Sequence, residues 1–519
     1  MTENNKVNKI IVINLFIIII SIYFLTASLY NCYNTDVSVL RIEVIKSFIE
    51  RSELSVPEGF GVKGSGGKDY SWFGIGSSLL ALPLYAIGMS IGQAPEMLVS
   101  TMNQLFGAAT VVLIFLFLIL LGYSKRTSIF VSIFYGLGTM AWPQAKHPFD
   151  HTIETLFILL SVYSVYSYCI SRRIIYLLFS AVSVGFAFIT RSTSVLAIPA
   201  LFFLIISYSS KHTNSPRNIK LLARDIVLFF IGFLPFLLLS LWYNYYRFGS
   251  VFETGYQLIA NRTGLQFFAG TSLWYGLSGF LVSPSKGFFY YSPLAILFFF
   301  SIRSFLKKHA RLGLCFIYLI ISFLLFLSKY IMWHGDWAWG PRYLLVITPF
   351  FIMPLAELIE SRISRKRSLI KFFVILILIL SVIIQILGIS VDFQSYFIYL
   401  RFVENIPFSS TRGEGIQPIN EPPPEIYFDW NKSPIIIQLK LIHNIYQNIG
   451  TYKYSNISNN AAISKIVLTH PLLNVFDFWW LFEYFTEGSY SGFIVAFILL
   501  LIVMYAAIKL CTALDKKRL

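Results

Sequence analysis

Apolar runs of about the 17 to 25 residues that carry a helix across a bilayer recur along this chain, separated by short polar gaps. They predict spanning helices near 10–30, 97–122, 127–145, 151–170, 174–190, 193–208, 224–243, 289–305, 312–328, 343–359, 369–390 and 490–511, twelve in all. A further run, Trp72 to Ile91, is punctuated by Gly74, Gly76, Pro83 and Gly88 and reads as lying in the interface. The stretch from Asp36 to about Arg51 has another rhythm. At about 100° per residue, Val37, Leu40, Val44, Ile45 and Phe48 fall on one side and Asp36, Glu43, Lys46, Ser47 and Glu50 on the other. Arg41 breaks the pattern by standing on the apolar side. A helix of this kind lies in the membrane plane and holds Asp36 at the water boundary.

Composition agrees with the pattern. Of 519 residues, 56% are hydrophobic, 18% aromatic and only 13% charged, and the mean hydropathy is +0.68. A soluble domain carries roughly 25% charge, so the chain is a polytopic, all-α membrane protein. The first apolar run lacks a small-residue cleavage site after it and is read as a retained helix. The four cysteines, Cys32, Cys169, Cys315 and Cys511, sit at or in different spans and indicate no disulfide framework.

The net charge of +16 would suit nucleic acid, but its placement points to topology instead. With 72–91 in the interface, Lys6/Lys9, Lys125-Arg126, Arg172-Arg173, Lys211 to Arg224, Arg303 to Arg311, Arg362 to Lys371 and Lys516 to Arg518 all fall on one side. If 72–91 spanned, the densest cluster would be outside. Both termini are therefore expected in the cytoplasm of a plasma or inner membrane. The polar loops 31–96, 144–154, 244–288, 329–342 and 391–489 then share the extracytoplasmic face. Chemistry there has no ATP or nucleotide sugar, so its donor must carry its own activation, as a lipid-linked sugar does.

Three constellations on that face carry candidate chemistry. Asp36 stands between a spanning helix and a surface one, where it is either a catalytic base or a helix cap. Lys146, His147, Asp150, His151 and Glu154 cluster at the outer end of a span. Asp150 and Glu154, four apart, share a helix face as an acid/base or metal pair would, and Lys146 and His147 suit a phosphate oxygen; ordinary polar flanking is the alternative. The loop Lys329 to Tyr343 holds His334, Asp336 and Arg342 among three Trp. An interfacial belt explains the aromatics, whereas Arg342, behind Gly340-Pro341, offers a fork for a phosphate.

The order of these features resembles a family. Lys68-Asp69-Tyr70-Ser71-Trp72-Phe73-Gly74-Ile75-Gly76 follows the acidic loop, and Tyr135-Gly136-Leu137-Gly138-Thr139 precedes the Lys146 junction. Further on come Trp242 to Gly249, Thr254-Gly255-Tyr256, Ser283-Pro284-Ser285-Lys286-Gly287 and Trp339-Gly340-Pro341-Arg342-Tyr343. Residues 10 to 390 are in this respect similar to the GT-C superfamily of integral-membrane glycosyltransferases, near its protein O-mannosyltransferase and aminoarabinose transferase branch.

The resemblance implies a transmembrane catalytic module over 1–390, an extracytoplasmic region over 391–489, and a last spanning helix with a basic tail over 490–519. Asp36 matches the first-loop catalytic acid, general base on the acceptor, although Val37 stands where many relatives keep a Glu. Asp150 matches the second acidic position, and Arg342 and Tyr343 match a step associated with the donor's phosphate, with Lys286 and Arg247 as further candidates. The implied reaction moves a sugar from a polyprenyl phosphate to a glycan, lipid or protein acceptor with inversion. A divalent metal held by Asp36 and Asp150 is compatible but not required. Two other classes compete: a lipid-linked polysaccharide ligase or polymerase, and a lipid or sugar transporter, which would want midplane charges and paired broken helices.

Overall fold

The computed structural model describes residues 3–28, 36–92, 95–209, 219–264, 266–268, 270–335, 338–360, 368–411, 419–421, 423–448 and 476–515. The chain is a bundle of helices. Among the described residues, strands occur only as two small antiparallel pairs, Val62–Lys63 with Asp69–Tyr70 and Ser409–Thr411 with Ile419–Glu421. The helices that frame the site are α1 (Glu3–Leu25), α2 (Asp36–Arg51), α3 (Gly76–Ser90), α4 (Met102–Leu120), α5 (Lys125–Gly138), α6 (Ala141–Lys146), α7 (His151–Ser171), α8 (Ile174–Thr190), α9 (Ile219–Phe248), α10 (Phe298–Ser328), α11 (Ser368–Ser390), α12 (Trp479–Glu487) and α13 (Ser491–Asp515).

Seven helices among the described residues are long and apolar enough to cross a membrane: Val7–Leu25, Pro95–Leu120, His151–Ser171, Ile219–Phe248, Pro293–Ser328, Lys371–Ser390 and Ser491–Leu514. Four shorter apolar helices accompany them, Gly76–Ser90, Ile174–Thr190, Ser192–Tyr208 and Leu273–Val282. The expected twelve therefore do not emerge as twelve uniform rods. The stretches 289–305 and 312–328 run together across a break at His309 (φ −131°, ψ 51°). The 127–145 stretch is interrupted by an extended Thr139 between α5 and α6. The 343–359 stretch is a 3₁₀ turn, Arg342–Ile347, followed by the short helices Thr348–Ile352 and Leu355–Leu358. Pro349 and Pro354 lack the amide a continuous helix needs. Such broken backbone is tolerated at membrane depth only inside protein, and residues 338–356 are buried throughout.

The stretch expected in the interface forms α3, whose 15 residues reach about 22 Å at 1.5 Å per residue, short of a hydrocarbon core of about 30 Å. The helix expected to lie in the membrane plane is α2, and both its flanks are covered by protein. Ile42 and Ile45 pack with Ala81, Tyr85, Val99, Met102 and Ile153, while Leu40 and Val44 pack with Leu54, Val56, Ile75, Ile189 and Tyr243. Phe48, assigned to the apolar side, is exposed, and Ile42 and Ser47 are buried. The helix is wedged between two layers, so its buried face is wider than the wheel allows.

The region after 390 joins the same body. Phe393, Tyr396, Phe397, Leu400, Ile426, Ile437 and Leu441 form one apolar cluster with Tyr291, Trp339 and Ile384. Within the expected extracytoplasmic region, Pro434–Asn448 is helical.

Candidate active site

Two buried acids begin the site, and α7 carries both. Asp150 precedes its first turn and Glu154 lies within it. Sharing a helix face does not make them a pair. One Asp150 oxygen accepts from the Arg41 guanidinium and the other from the Ser77 hydroxyl. Glu154 accepts instead from Thr193 Oγ1 at 3.1 Å and Ser194 Oγ at 2.9 Å, and its other oxygen pairs with Arg191 Nε at 3.2 Å. The Arg41 that violated the amphipathic pattern is thus the counter-ion of Asp150. It stacks on Phe73 at 5.0 Å, and burial pushes its pKa down to about 10 against the opposing pull of Asp150.

Ser77 reaches Asp150 because α3 starts hard against the end of α8. A Cβ on Gly74 would strike the carbonyl oxygens of Ile189 and Thr190, and one on Gly76 would strike the Thr190 side chain. Only glycine permits that approach. The same crossing brings Arg191 beside the acids. A cavity of about 210 Å³ opens here, lined by Asp150, Arg191, Thr193, Tyr243, Asn244, Arg247, Tyr256 and Tyr330 and by the aromatic rings of Trp72, Phe73 and Phe188.

The cations nominated from sequence divide sharply. Arg247 lines the cavity, but its donors are occupied: Nε bonds the Tyr243 carbonyl at 3.2 Å, Nη1 the carbonyls of Ser71 and Phe73, and Nη2 Asn244 Oδ1 at 2.8 Å. Lys286 Nζ bonds the Ala338 carbonyl at 2.7 Å. Lys146 Nζ pairs with Asp477 at 2.8 Å and bonds the Ile389 carbonyl at 2.6 Å. None of these three lies open for a phosphate; each fastens backbone. Arg342 is different. It is only 5% exposed, it stacks on Phe149 at 4.1 Å and Tyr343 at 5.2 Å, and its guanidinium makes no hydrogen bond or ion pair among the described residues. The terminal nitrogens of Arg191 likewise bond nothing among the described residues, while its guanidinium sits over the Tyr343 ring at 5.4 Å.

The remaining nominated residues complete the picture. Tyr343 meets the His151 ring edge-on at 5.0 Å. His147 is buried, with its pKa pushed down to about 3 by desolvation and then by Lys146 and Arg342, so its ring is neutral at pH 7. His334 stacks on Tyr427 at 4.6 Å, with Nδ1 and the phenol oxygen 3.1 Å apart, away from the cavity wall. Asp336 lies outside the described residues, as does the side chain of Asp36; α2 begins at Asp36, five residues before Arg41.

As for a metal, one of the two carboxylates expected to hold it, that of Asp36, lies outside the described residues. No group of three or more His, Cys, Asp or Glu side chains is gathered among them, and both Asp150 oxygens already accept from neighbours. Residues that motif reasoning had not nominated are Arg41, Ser77, Arg191 and Tyr256. Arg41 was signalled by its position on the wrong side of α2, and Tyr256 by its place in Thr254-Gly255-Tyr256; Ser77 and Arg191 had no signal beyond the glycines that bring their helices together.

Comparison with known proteins meets this geometry from outside. Residues 78–239 match the family model for dolichyl-phosphate-mannose-protein mannosyltransferases. Among solved structures, the Archaeoglobus fulgidus oligosaccharyltransferase in complex with Zn and sulfate superposes with a TM-score of 0.51 at 12% identity, over 90% of this chain and 67% of that one. ArnT from Cupriavidus metallidurans bound to undecaprenyl phosphate superposes with a TM-score of 0.50 at 12% identity, over 98% of this chain and 78% of that one. No curated protein sequence matches. Such distant structural likeness shows the fold alone: a polytopic helical membrane fold like that of these two enzymes.

Proposed function

We propose that this protein transfers a sugar from a polyprenyl-phosphate donor to an acceptor hydroxyl on the extracytoplasmic face, with both termini in the cytoplasm. The observation that carries the reading is Arg342. Its guanidinium has no anion among the described residues; a buried guanidinium without one costs several kcal/mol of desolvation, which supports a site built for an anion that arrives with the ligand. A phosphate headgroup entering from the bilayer supplies it, and Arg191 adds unspent donors at the cavity. The family match and the undecaprenyl phosphate bound to ArnT agree with that choice of ligand.

The chemistry then follows from charge development. As the acceptor oxygen attacks the anomeric carbon, the bond from that carbon to the phosphate oxygen breaks and its electron pair leaves with the polyprenyl phosphate. Arginine N–H groups aimed at the phosphate stabilise that growing charge. Asp36, at the head of α2, takes the acceptor proton, and a single displacement inverts the anomeric centre. Asp150, bonded to Arg41 and Ser77, holds α2 in place.

The test is transfer in membranes from a panel of undecaprenyl- and dolichyl-phosphate sugars, wild type against Asp36→Asn. Loss of about 100-fold or more is expected. Full activity of the isosteric amide would remove Asp36 as base, and transbilayer movement of the lipid without any transfer would favour a flippase.

A further inference from the structure

A segment near the end of the 391–489 region is bonded to the two places from which the acids emerge. The Asp477 carboxylate is 3% exposed. One of its oxygens accepts from Ser28 Oγ at 2.6 Å, three residues beyond α1 on the path to Asp36. The other pairs with Lys146 Nζ at 2.8 Å, four residues before Asp150, and the Asp477 carbonyl accepts from the same ammonium. The Asp477 amide donates to the Ser390 carbonyl at 2.9 Å. One residue thus ties the exits of α1, α6 and α11 together.

The neighbours of Asp477 continue the fastening. A helix leaves its last carbonyls without partners, and they must be met from elsewhere when buried. Here the Trp479 indole donates to the Phe24 carbonyl at 2.8 Å, the Trp480 indole to Leu25 at 2.9 Å, and the Trp479 amide to Ala27 at 3.1 Å. The end of α1 is therefore capped by residues some 450 positions later in the chain. Phe478 lies beneath the Lys146 ammonium at 5.3 Å and stacks on Trp480 at 6.0 Å. A surface strap would expose its charges; this one buries them.

We propose that Asp477, with Trp479 and Trp480, is the positioning element of the active site, setting the outlet of α1 that leads to Asp36 and the Lys146 junction that leads to Asp150. The proposal rests on the glycosyl-transfer reading for its catalytic consequence, but its structural half stands apart from it. An Asp36 displaced by about 1 Å loses roughly 100-fold in rate. The last two helices, α12 and α13, belong by this account to the catalytic module and are not a trailing anchor.

The experiment uses the full-length protein in lipid nanodiscs and compares Asp477→Asn, Trp480→Phe and the double variant Lys146→Met/Asp477→Leu. Three quantities are read: amide hydrogen exchange over 24–40 and 144–154, the thermal midpoint, and transfer from whichever polyprenyl-phosphate sugar the wild type uses. Trp480→Phe keeps one aromatic ring in the stack and loses the second ring with its N–H; it is expected to lower the midpoint slightly, raise exchange over 24–40, and lower kcat about tenfold with the donor KM unchanged. The double variant, an apolar pair in place of a buried ion pair, is expected to recover the midpoint that Asp477→Asn loses, yet to leave kcat down about 10- to 100-fold. Unchanged exchange in both segments overturns the proposal whatever reaction the enzyme runs. So does a kcat that returns with the midpoint, because that is the behaviour of a merely structural pair. Absence of transfer by the wild type from every donor would overturn the glycosyl-transfer reading instead, leaving exchange to decide whether Asp477 holds the two segments.

Discussion

Two sets of buried cations in this molecule differ in how their donors are used. Lys146, Arg247 and Lys286 spend theirs on carbonyl oxygens and on Asp477 or Asn244, joining segments far apart in the chain. Among the described residues Arg342 spends none, and Arg191 spends one edge on Glu154. From sequence Lys146, Arg247, Lys286 and Arg342 look alike, each a cation beside aromatic residues in an expected outer loop. A buried cation whose hydrogen bonds are complete is a fastener, and one whose hydrogen bonds are missing is waiting for a ligand.

The comparison breaks most visibly at Arg342. Arg342→Gln is expected to lower transfer about 100- to 1,000-fold while leaving the thermal midpoint at or above that of the wild type, since no partner is stranded. A large drop in midpoint with transfer intact would make Arg342 a fastener too. Arg247→Met should do the reverse. It strands the carbonyls of Ser71 and Phe73 and is expected to cost about 3 kcal/mol of stability, measured by denaturant titration in detergent, with the folded fraction still active.

A smaller effect sharpens the contrast through pH. His147 has a folded pKa of about 3 against 6.5 unfolded, so between those values the unfolded chain binds the extra proton. Its stability contribution is complete above pH 6.5 and is lost as pH falls toward 3, at up to about 1.4 kcal/mol per unit. Thermal midpoints of wild type and His147→Asn should therefore separate as pH falls from 7 to 5, the variant declining less; parallel curves would mean the ring charges without cost. Least of all, Ser77→Ala should cost about 1 kcal/mol, because Asp150 keeps Arg41. A loss several times larger would show that α3 is held chiefly by that one bond.

Much of the fold could be read in advance because membrane helices announce themselves by length and apolarity. The first, fourth and last spans fall on α1, α7 and α13 almost as expected. The breaks within 289–328 and 343–359 were less legible: an apolar run reports burial, and whether the burial is in lipid or in protein depends on what packs around it. At the site, Asp150 was found by its place at a span end, and Arg41 was visible as an anomaly. Arg191 was not visible, since its importance comes from Gly74 and Gly76 letting α3 meet the end of α8.

The sequence by itself determined the solvent of each segment, and with it the class of protein, because transfer free energy is a property of composition over some twenty residues. It also determined which residues are able to do acid–base and phosphate chemistry. Only the tertiary structure decided which of them are free to do it. Whether a guanidinium meets a carbonyl, a carboxylate or nothing is fixed by segments hundreds of positions away, as Lys146 and Asp477 show. No local pattern contains that information, because hydrogen bonds are satisfied by neighbours in space.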